Sequence, residues 1–130
     1  MKKILTILLL AVSITAWGTK YYIDPAGNNG NDGSYGSPWA TLSYACSQAI
    51  IPGDTVYVNP GTYNDPSQIV KALGVHIYGA GDSSEIISTY TNASAVQASI
   101  QCSSSSDTIT YDGGSISYIR LTGSNLTAYY

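Results

Sequence analysis

From Tyr21 to Tyr63 the chain runs, in order, through an extended aromatic segment, a turn-rich polar loop, a short amphipathic run, a Pro-Gly-Asp stop and an alternating strand. That order constrains the fold more than any other feature. A stack of strands that grows in one direction has an open first rung, with unpaired N–H and C=O groups along its edge and apolar side chains exposed at its end. A greasy helix placed before the first alternating strand can cover that end. Asp24 to Ser37 holds four Gly, three Asn, two Asp and one Pro, a density that excludes regular structure. Ser37 is placed to N-cap the helix that follows, and Pro38 to fill its first position, where a missing N–H costs nothing. Trp39, Leu42, Cys46, Ala49 and Ile50 then form one apolar stripe on a helix of about three turns. Pro52-Gly53-Asp54 ends it.

Strand patterning begins at Thr55. Val56 and Val58 alternate with Thr55, Tyr57 and Asn59, and Val75 and Ile77 with His76 and Tyr78. Val96, Ala98, Ile100 and Cys102 alternate with Gln97, Ser99 and Gln101, and Ile119 and Leu121 with Tyr118 and Arg120. Each run has one apolar and one polar face. A second series, Ile69-Val70, Ile86-Ile87, Ile109 and Leu126, falls between them with the same long-short rhythm. Two interleaved series with a common period mark a solenoid, in which each turn of the chain carries several short strands. Glycines at 61, 74, 79, 81, 113, 114 and 123 supply the corners. The expected fold is all-β: a right-handed parallel β-helix (solenoid), its N-terminal rungs closed by a short capping α-helix. A small β-sandwich is the alternative, since it too is built from short strands and frequent turns. Sandwich strands pair antiparallel, often through Asn-Gly or Asp-Gly hairpins. Asn29-Gly30 and Asp32-Gly33 precede any strand pair, which leaves Asp112-Gly113 as the one hairpin candidate.

The first eighteen residues read as a signal peptide. Lys2 and Lys3 precede an apolar run from Ile4 to Val12 that is too short to span a bilayer, and Ala16-Trp17-Gly18 supplies small residues for cleavage after Gly18. The division is then 1–18 signal peptide, 19–54 extended segment, polar loop and capping helix, and 55–130 the first rungs of the solenoid. The expected location is outside the cell, secreted or on its surface, with no membrane contact after cleavage. Lys20, Lys71 and Arg120 are then the remaining fixed cations against eight acids, so nucleic acid is a poor partner. Only 10% of residues are charged, Phe is absent and Tyr occurs twelve times. A neutral, hydroxyl-rich, aromatic surface suits contact with sugars, which offer hydroxyls to bond and C–H faces to stack on rings. It equally reflects the strand propensity of Tyr and Thr. Cys46 and Cys102 fall about two rungs apart, beyond bridging distance, and are expected as two buried thiols.

The segments YYIDPAGNNGNDGSYGSPWATL and GDTVYVNPGTY resemble the N-terminal domain of unknown function that opens many secreted bacterial right-handed parallel β-helix (pectate-lyase-like) proteins. The matching elements are Tyr21-Tyr22, Asp24-Pro25-Ala26-Gly27-Asn28, Asn31-Asp32-Gly33, Ser37-Pro38, Gly53-Asp54-Thr55 and Gly61-Thr62-Tyr63. SISYIRLTGSN is similar to a rung of the same group. The resemblance implies an exported β-helix, some of whose relatives are polysaccharide lyases acting on uronic-acid polymers. In those, the acidic Ca²⁺ ligands and the Lys or Arg base lie on later rungs. No catalytic residue carries over to this chain and no cofactor is expected in it, while Ca²⁺ belongs to a longer protein. The resemblance further implies that downstream rungs follow and that the chain is the N-terminal piece of such a protein.

The candidate site residues are few. Tyr57, Tyr78 and Tyr118 fall on outward strand positions, where a row of rings forms either a substrate-binding platform for polysaccharide or an aromatic ladder that supports the sheet. Asp24, Asn28, Asn31 and Asp32 are an oxygen-rich loop, but such residues also turn the chain by bonding their own backbone, and no metal is assigned there. His76 and Arg120 read as isolated surface residues, and Ser103 to Ser106 as a loop with no partnered base. The expected function is the capping region of a secreted β-helix that acts on or binds acidic polysaccharide. The alternative is a non-catalytic surface adhesin or carbohydrate-binding protein of the same fold.

Overall fold

The computed structural model describes residues 18–90, 100–102 and 114–123. Among them are nine strands: β1 (Lys20–Ile23), β2 (Thr55–Val58), β3 (Gly61–Asp65), β4 (Ile69–Lys71), β5 (His76–Gly79), β6 (Ser84–Ser88), β7 (Ile100–Cys102), β8 (Ser115–Ser117) and β9 (Arg120–Gly123). One helix, α1 (Leu42–Gln48), and a 3₁₀ turn at Gly81–Ser83 complete the elements. Strand is thus the main regular structure among the described residues. Three sheets form, in the orders β1-β2-β5-β8, β3-β6-β9 and β4-β7. Every named strand pair is parallel. Two strands of the other sheets separate each return to the first one: β3 and β4 before β5, then β6 and β7 before β8.

Parallel pairing removes the sandwich alternative for the described strands. Among the described residues the one antiparallel contact is the isolated bridge Ser34↔Ser37 inside the polar loop. Asp112-Gly113 lies outside the described residues, as do residues 1–17.

The strand grouping differs from the two-series expectation. Ile100–Cys102 pairs with Ile69–Lys71, not with the sheet that holds Tyr57 and Tyr78. Ile86 lies opposite Tyr63 and Leu121, so it does not share a sheet with Ile69. Ser115–Ser117 takes the place beside β5 that the pattern gave to residues around Tyr118. The cause is β3: in Gly61-Thr62-Tyr63-Asn64-Asp65 three residues are polar and one is glycine, so the segment reads as a turn and hides one sheet. Val96, Ala98, Ile109 and Leu126 lie outside the described residues.

The helix is shorter than its apolar stripe. Thr41, not Ser37, is the N-cap, and its Oγ accepts from the Tyr44 N–H at 3.3 Å. Residues 33–39 instead lie against β1. Tyr22 N donates to Gly33 O (2.8 Å), Trp39 N to Tyr22 O (3.0 Å) and Asp24 N to Trp39 O (2.9 Å). Edge groups of β1 that lack a partner strand on that side are thereby satisfied. Trp39 is buried, its ring stacks on Tyr21 at 4.9 Å and its Nε1 donates to Asn31 O at 2.8 Å. Of the stripe, Trp39, Leu42, Cys46 and Ala49 are buried, whereas Ile50 is 62% exposed because the helix has ended before it. Cys46 is in the core; the side chain of Cys102 lies outside the described residues.

The core runs from Leu42, Ala45 and Cys46 of α1 through Ile23, Val56, Val58 and Ile77 of the first sheet to Tyr63, Ile69 and Ile86. Burying each large aliphatic side chain contributes about 1.5–3 kcal/mol. Buried polar groups at this end are bonded. Asp54 accepts from Thr19 N (2.8 Å) and Ile51 N (3.0 Å). The inward-pointing Lys71 donates to the Ala72 and Val75 carbonyls at 3.2 and 3.1 Å. Among the described residues no helix is long and apolar enough to cross a membrane.

Candidate functional site: a tyrosine strip on the first sheet

Parallel in-register pairing lines up like positions on neighbouring strands. On the first sheet it produces two outward rows. One is Tyr22, Tyr57, Tyr78 and Ser117; the other is Lys20, Thr55, His76 and Ser115. The inward positions Val56 and Ile77 between them are buried.

The aromatic row extends beyond the strands at both ends. Tyr35, from the polar loop, meets Tyr22 edge-on with centroids 5.3 Å apart. Tyr22 and Tyr57 stack at 5.2 Å with planes 18° apart. Tyr57 and Tyr78 are 6.0 Å apart at 62°, and Tyr78 and Tyr118 5.1 Å apart at 59°. Five rings thus form a continuous strip. The tilt divides it in two. Where Tyr22 and Tyr57 lie face to face, each ring covers the other, which is the arrangement of a ladder that supports the sheet. Tyr78 and Tyr118 meet their neighbours at steeper angles, and these two residues are 48% and 63% exposed.

Tyr57, Tyr78 and Tyr118 are therefore brought together, but Tyr118 reaches the row by another route. It lies one residue past β8, and its φ of 56° is the one positive value at a non-glycine among the described residues. Ser117 occupies the register position opposite Tyr78. Sequence reasoning missed Tyr22 and Tyr35. Tyr22 was findable, since it alternates with the inward Ile23; nothing in a loop sequence signals where Tyr35 points.

In the polar row, His76 Nδ1 lies 3.0 Å from Ser115 Oγ, joining adjacent strands, and Lys20 is exposed. Arg120 is not isolated: its guanidinium pairs with Glu85 at 2.9 Å, and Thr122 Oγ donates to the same carboxylate at 3.3 Å. That trio lies on the second sheet.

The oxygen-rich loop turns on itself. Asp24, Asn28 and Asp32 accept from the N–H groups of Ala26, Gly30 and Ser34, each two residues on. The Ser34 N–H and then its hydroxyl hold the exposed Asp32 carboxyl below the usual carboxylate range. Asn31 donates to Pro38 O at 2.9 Å. Asn29 Oδ1 accepts from Ala40 N and Thr41 N, fixing the approach to α1. Among the described residues no group of three potential metal ligands occurs. An open cleft of about 350 Å³ between α1 and the β3–β4 turn is lined by Asn29, Thr41, Ser43, Tyr44 and Ser67 among others. Several of its polar groups already bond one another, as with Asn29 to Thr41 at 3.1 Å. Ser103 to Ser106 lies outside the described residues.

No protein-family model matches this chain, so the likeness of the Tyr21–Tyr63 segment to an N-terminal domain has no family match behind it. No curated protein matches it either. Two solved structures do. A chain described as a glycoside hydrolase is 24% identical with a TM-score of 0.44, covering 55% of this chain and 15% of its own. A rhamnogalacturonan lyase is 23% identical with a TM-score of 0.43, covering 84% and 27%. This chain therefore spans only a small part of either, and likeness at this level does not bear on function.

Proposed function

We propose that this chain forms the N-terminal end of an exported right-handed parallel β-helix, and that the tyrosine strip on its first sheet binds polysaccharide. Support for the β-helix is the repeated visit to three parallel sheets. Parallel crossovers of this kind are right-handed in almost all cases. Support for the capping role is local: the bonds from Gly33 and Trp39 occupy the edge of β1, while α1 lays Leu42, Ala45 and Cys46 over the end of the core.

The observation that carries the binding half is the exposure of Tyr78 and Tyr118 with their planes tilted apart. Tyr22 and Tyr57 cover each other's faces, whereas Tyr78 and Tyr118 keep 48% and 63% of their surface open. Rings left open offer stacking surface to the C–H faces of sugars. Beside them Thr55, His76 and Ser115 supply hydrogen-bonding groups and Lys20 a cation. That pairing of rings with polar groups suits an acidic polysaccharide. Any lyase chemistry, with its Ca²⁺, is assigned to rungs beyond these.

Affinity electrophoresis in gels cast with soluble polygalacturonate tests the binding half. The wild-type chain is expected to be retarded, and Tyr78→Ala with Tyr118→Ala to run close to its mobility in plain gel. Identical wild-type mobility with and without polymer ends the reading.

A further inference from the structure

We infer that the left-handed backbone at Tyr118 is a built-in positioning device that tilts the last ring of the strip, so that the site takes a single twisted glycan chain and not the flat face of an insoluble one. The inference rests on the polysaccharide-binding reading.

Side chains alternate along a strand. With Ser117 opposite Tyr78 on the outer row, a regular extension of β8 would send residue 118 to the inner face. A left-handed residue breaks the alternation. It swings the Tyr118 ring back over Tyr78, to 5.1 Å. L-residues other than Gly and Asn pay for this conformation, because Cβ crowds the following carbonyl. Folding alone would favour Gly or Asn here.

The surroundings hold the conformation in place. The Tyr118 carbonyl accepts from Gly81 N at 2.7 Å. Gly79 leaves it room: a Cβ there would stand 2.3 Å from that carbonyl oxygen and 2.4 Å from Ile119 Cγ2. Strained backbone that persists under such support collects at functional sites.

The angles give the specificity. Successive planes from Tyr57 to Tyr78 to Tyr118 differ by 62° and 59°. A flat crystalline sugar surface needs coplanar rings to meet it. Rings this far from coplanar offer no such platform, and suit a single chain whose sugar faces point in different directions along its length.

Three proteins are compared: wild type, Tyr118→Asn and Tyr118→Ala. Thermal melting needs no ligand. Asn tolerates the left-handed region and Ala does not, and both lack the ring. Tyr118→Asn is expected to melt roughly 4 °C above Tyr118→Ala. Equal melting temperatures overturn the strain argument whatever the chain binds. In polygalacturonate gels, both the Asn and Ala variants are expected to bind roughly fivefold more weakly than wild type. Wild-type retardation of Tyr118→Asn overturns the positioning role. Microcrystalline cellulose should leave the wild type in the supernatant; depletion by cellulose overturns the twisted-chain specificity. If the wild type ignores polygalacturonate, the binding reading fails and takes the specificity with it, while the melting comparison still decides the strain.

Discussion

Asp65 of β3 grips Ser43 of α1 with both carboxylate oxygens: Oδ2 accepts from the Ser43 N–H at 2.7 Å and Oδ1 from its hydroxyl at 2.6 Å. Asp65 is fully buried. It caps the helix from another element, beside the Thr41 cap on Tyr44, and so ties the helix to the second sheet. Charge-assisted bonds of this kind are worth about 1.5–3 kcal/mol each. Asp65→Ala is expected to cost about 3 kcal/mol in urea unfolding, and Asp65→Asn less, since one acceptor oxygen remains. A loss below about 1 kcal/mol would mean that water replaces the carboxylate without penalty.

Much of this could be read from the residues, and the failures have physical causes. The alternation of Val56 and Val58, and the stripe of Leu42, Cys46 and Ala49, each report one buried face, and these were found. Trp39 fits the same stripe, yet its N–H and C=O pair with β1, because a strand edge competes for backbone groups that a helix would use. Gly61–Asp65 hides as a turn, since Asp65 is inward yet polar and its partner lies 22 residues earlier in sequence. Tyr57 and Tyr78 follow from alternation. Tyr118 joins them through one left-handed residue, which no pattern of hydrophobicity encodes.

Trp39 and Gly33 pack the polar loop tightly beside β1. Gly33 has φ +76°, and a Cβ there would stand 2.6 Å from the indole ring. Gly33→Ala therefore combines a left-handed penalty with overpacking, and about 2–4 kcal/mol of stability should go. Trp39→Ala should cost about 3–5 kcal/mol. Combined, the two should cost less than their sum, because an alanine at 33 has no ring left to strike. Full additivity in thermal unfolding would place the ring elsewhere.

The Glu85–Arg120 pair provides the contrast. Its 2.9 Å separation is as short as the buried bonds, but the arginine is half exposed. Exposed ion pairs contribute about 0–1 kcal/mol and weaken with salt. Arg120→Ala should lower stability by less than about 1 kcal/mol at low salt, and the deficit should shrink further in 0.5 M NaCl, roughly, where screening acts over only a few ångströms. A large, salt-independent loss would reveal that the Arg120 stem packs on the sheet.

Tyr63 predicts alkaline behaviour. Its side chain is buried, and its hydroxyl lies 2.7 Å from Asn59 O and 3.1 Å from Ile23 O. Burial, and then the charge of Asp24, push its phenol well above the ordinary tyrosine range. The folded state thus holds this proton more tightly than the unfolded chain, whose tyrosines ionise near pH ~10. The stability it contributes is whole below that pH and is lost as pH climbs from there towards the folded value. The loss approaches about 1.4 kcal/mol per pH unit. Tyr63→Phe has no such proton. At neutral pH it should be less stable than wild type by about 1 kcal/mol, the worth of the missing hydrogen bond. Above about pH 10 the gap should close and then reverse, because only the wild type must ionise a phenol to unfold. Stability curves that stay parallel between roughly pH 8 and 11.5 would show that solvent reaches the Tyr63 hydroxyl, and that the sheet-to-sheet contact it makes with Ile23 is not closed.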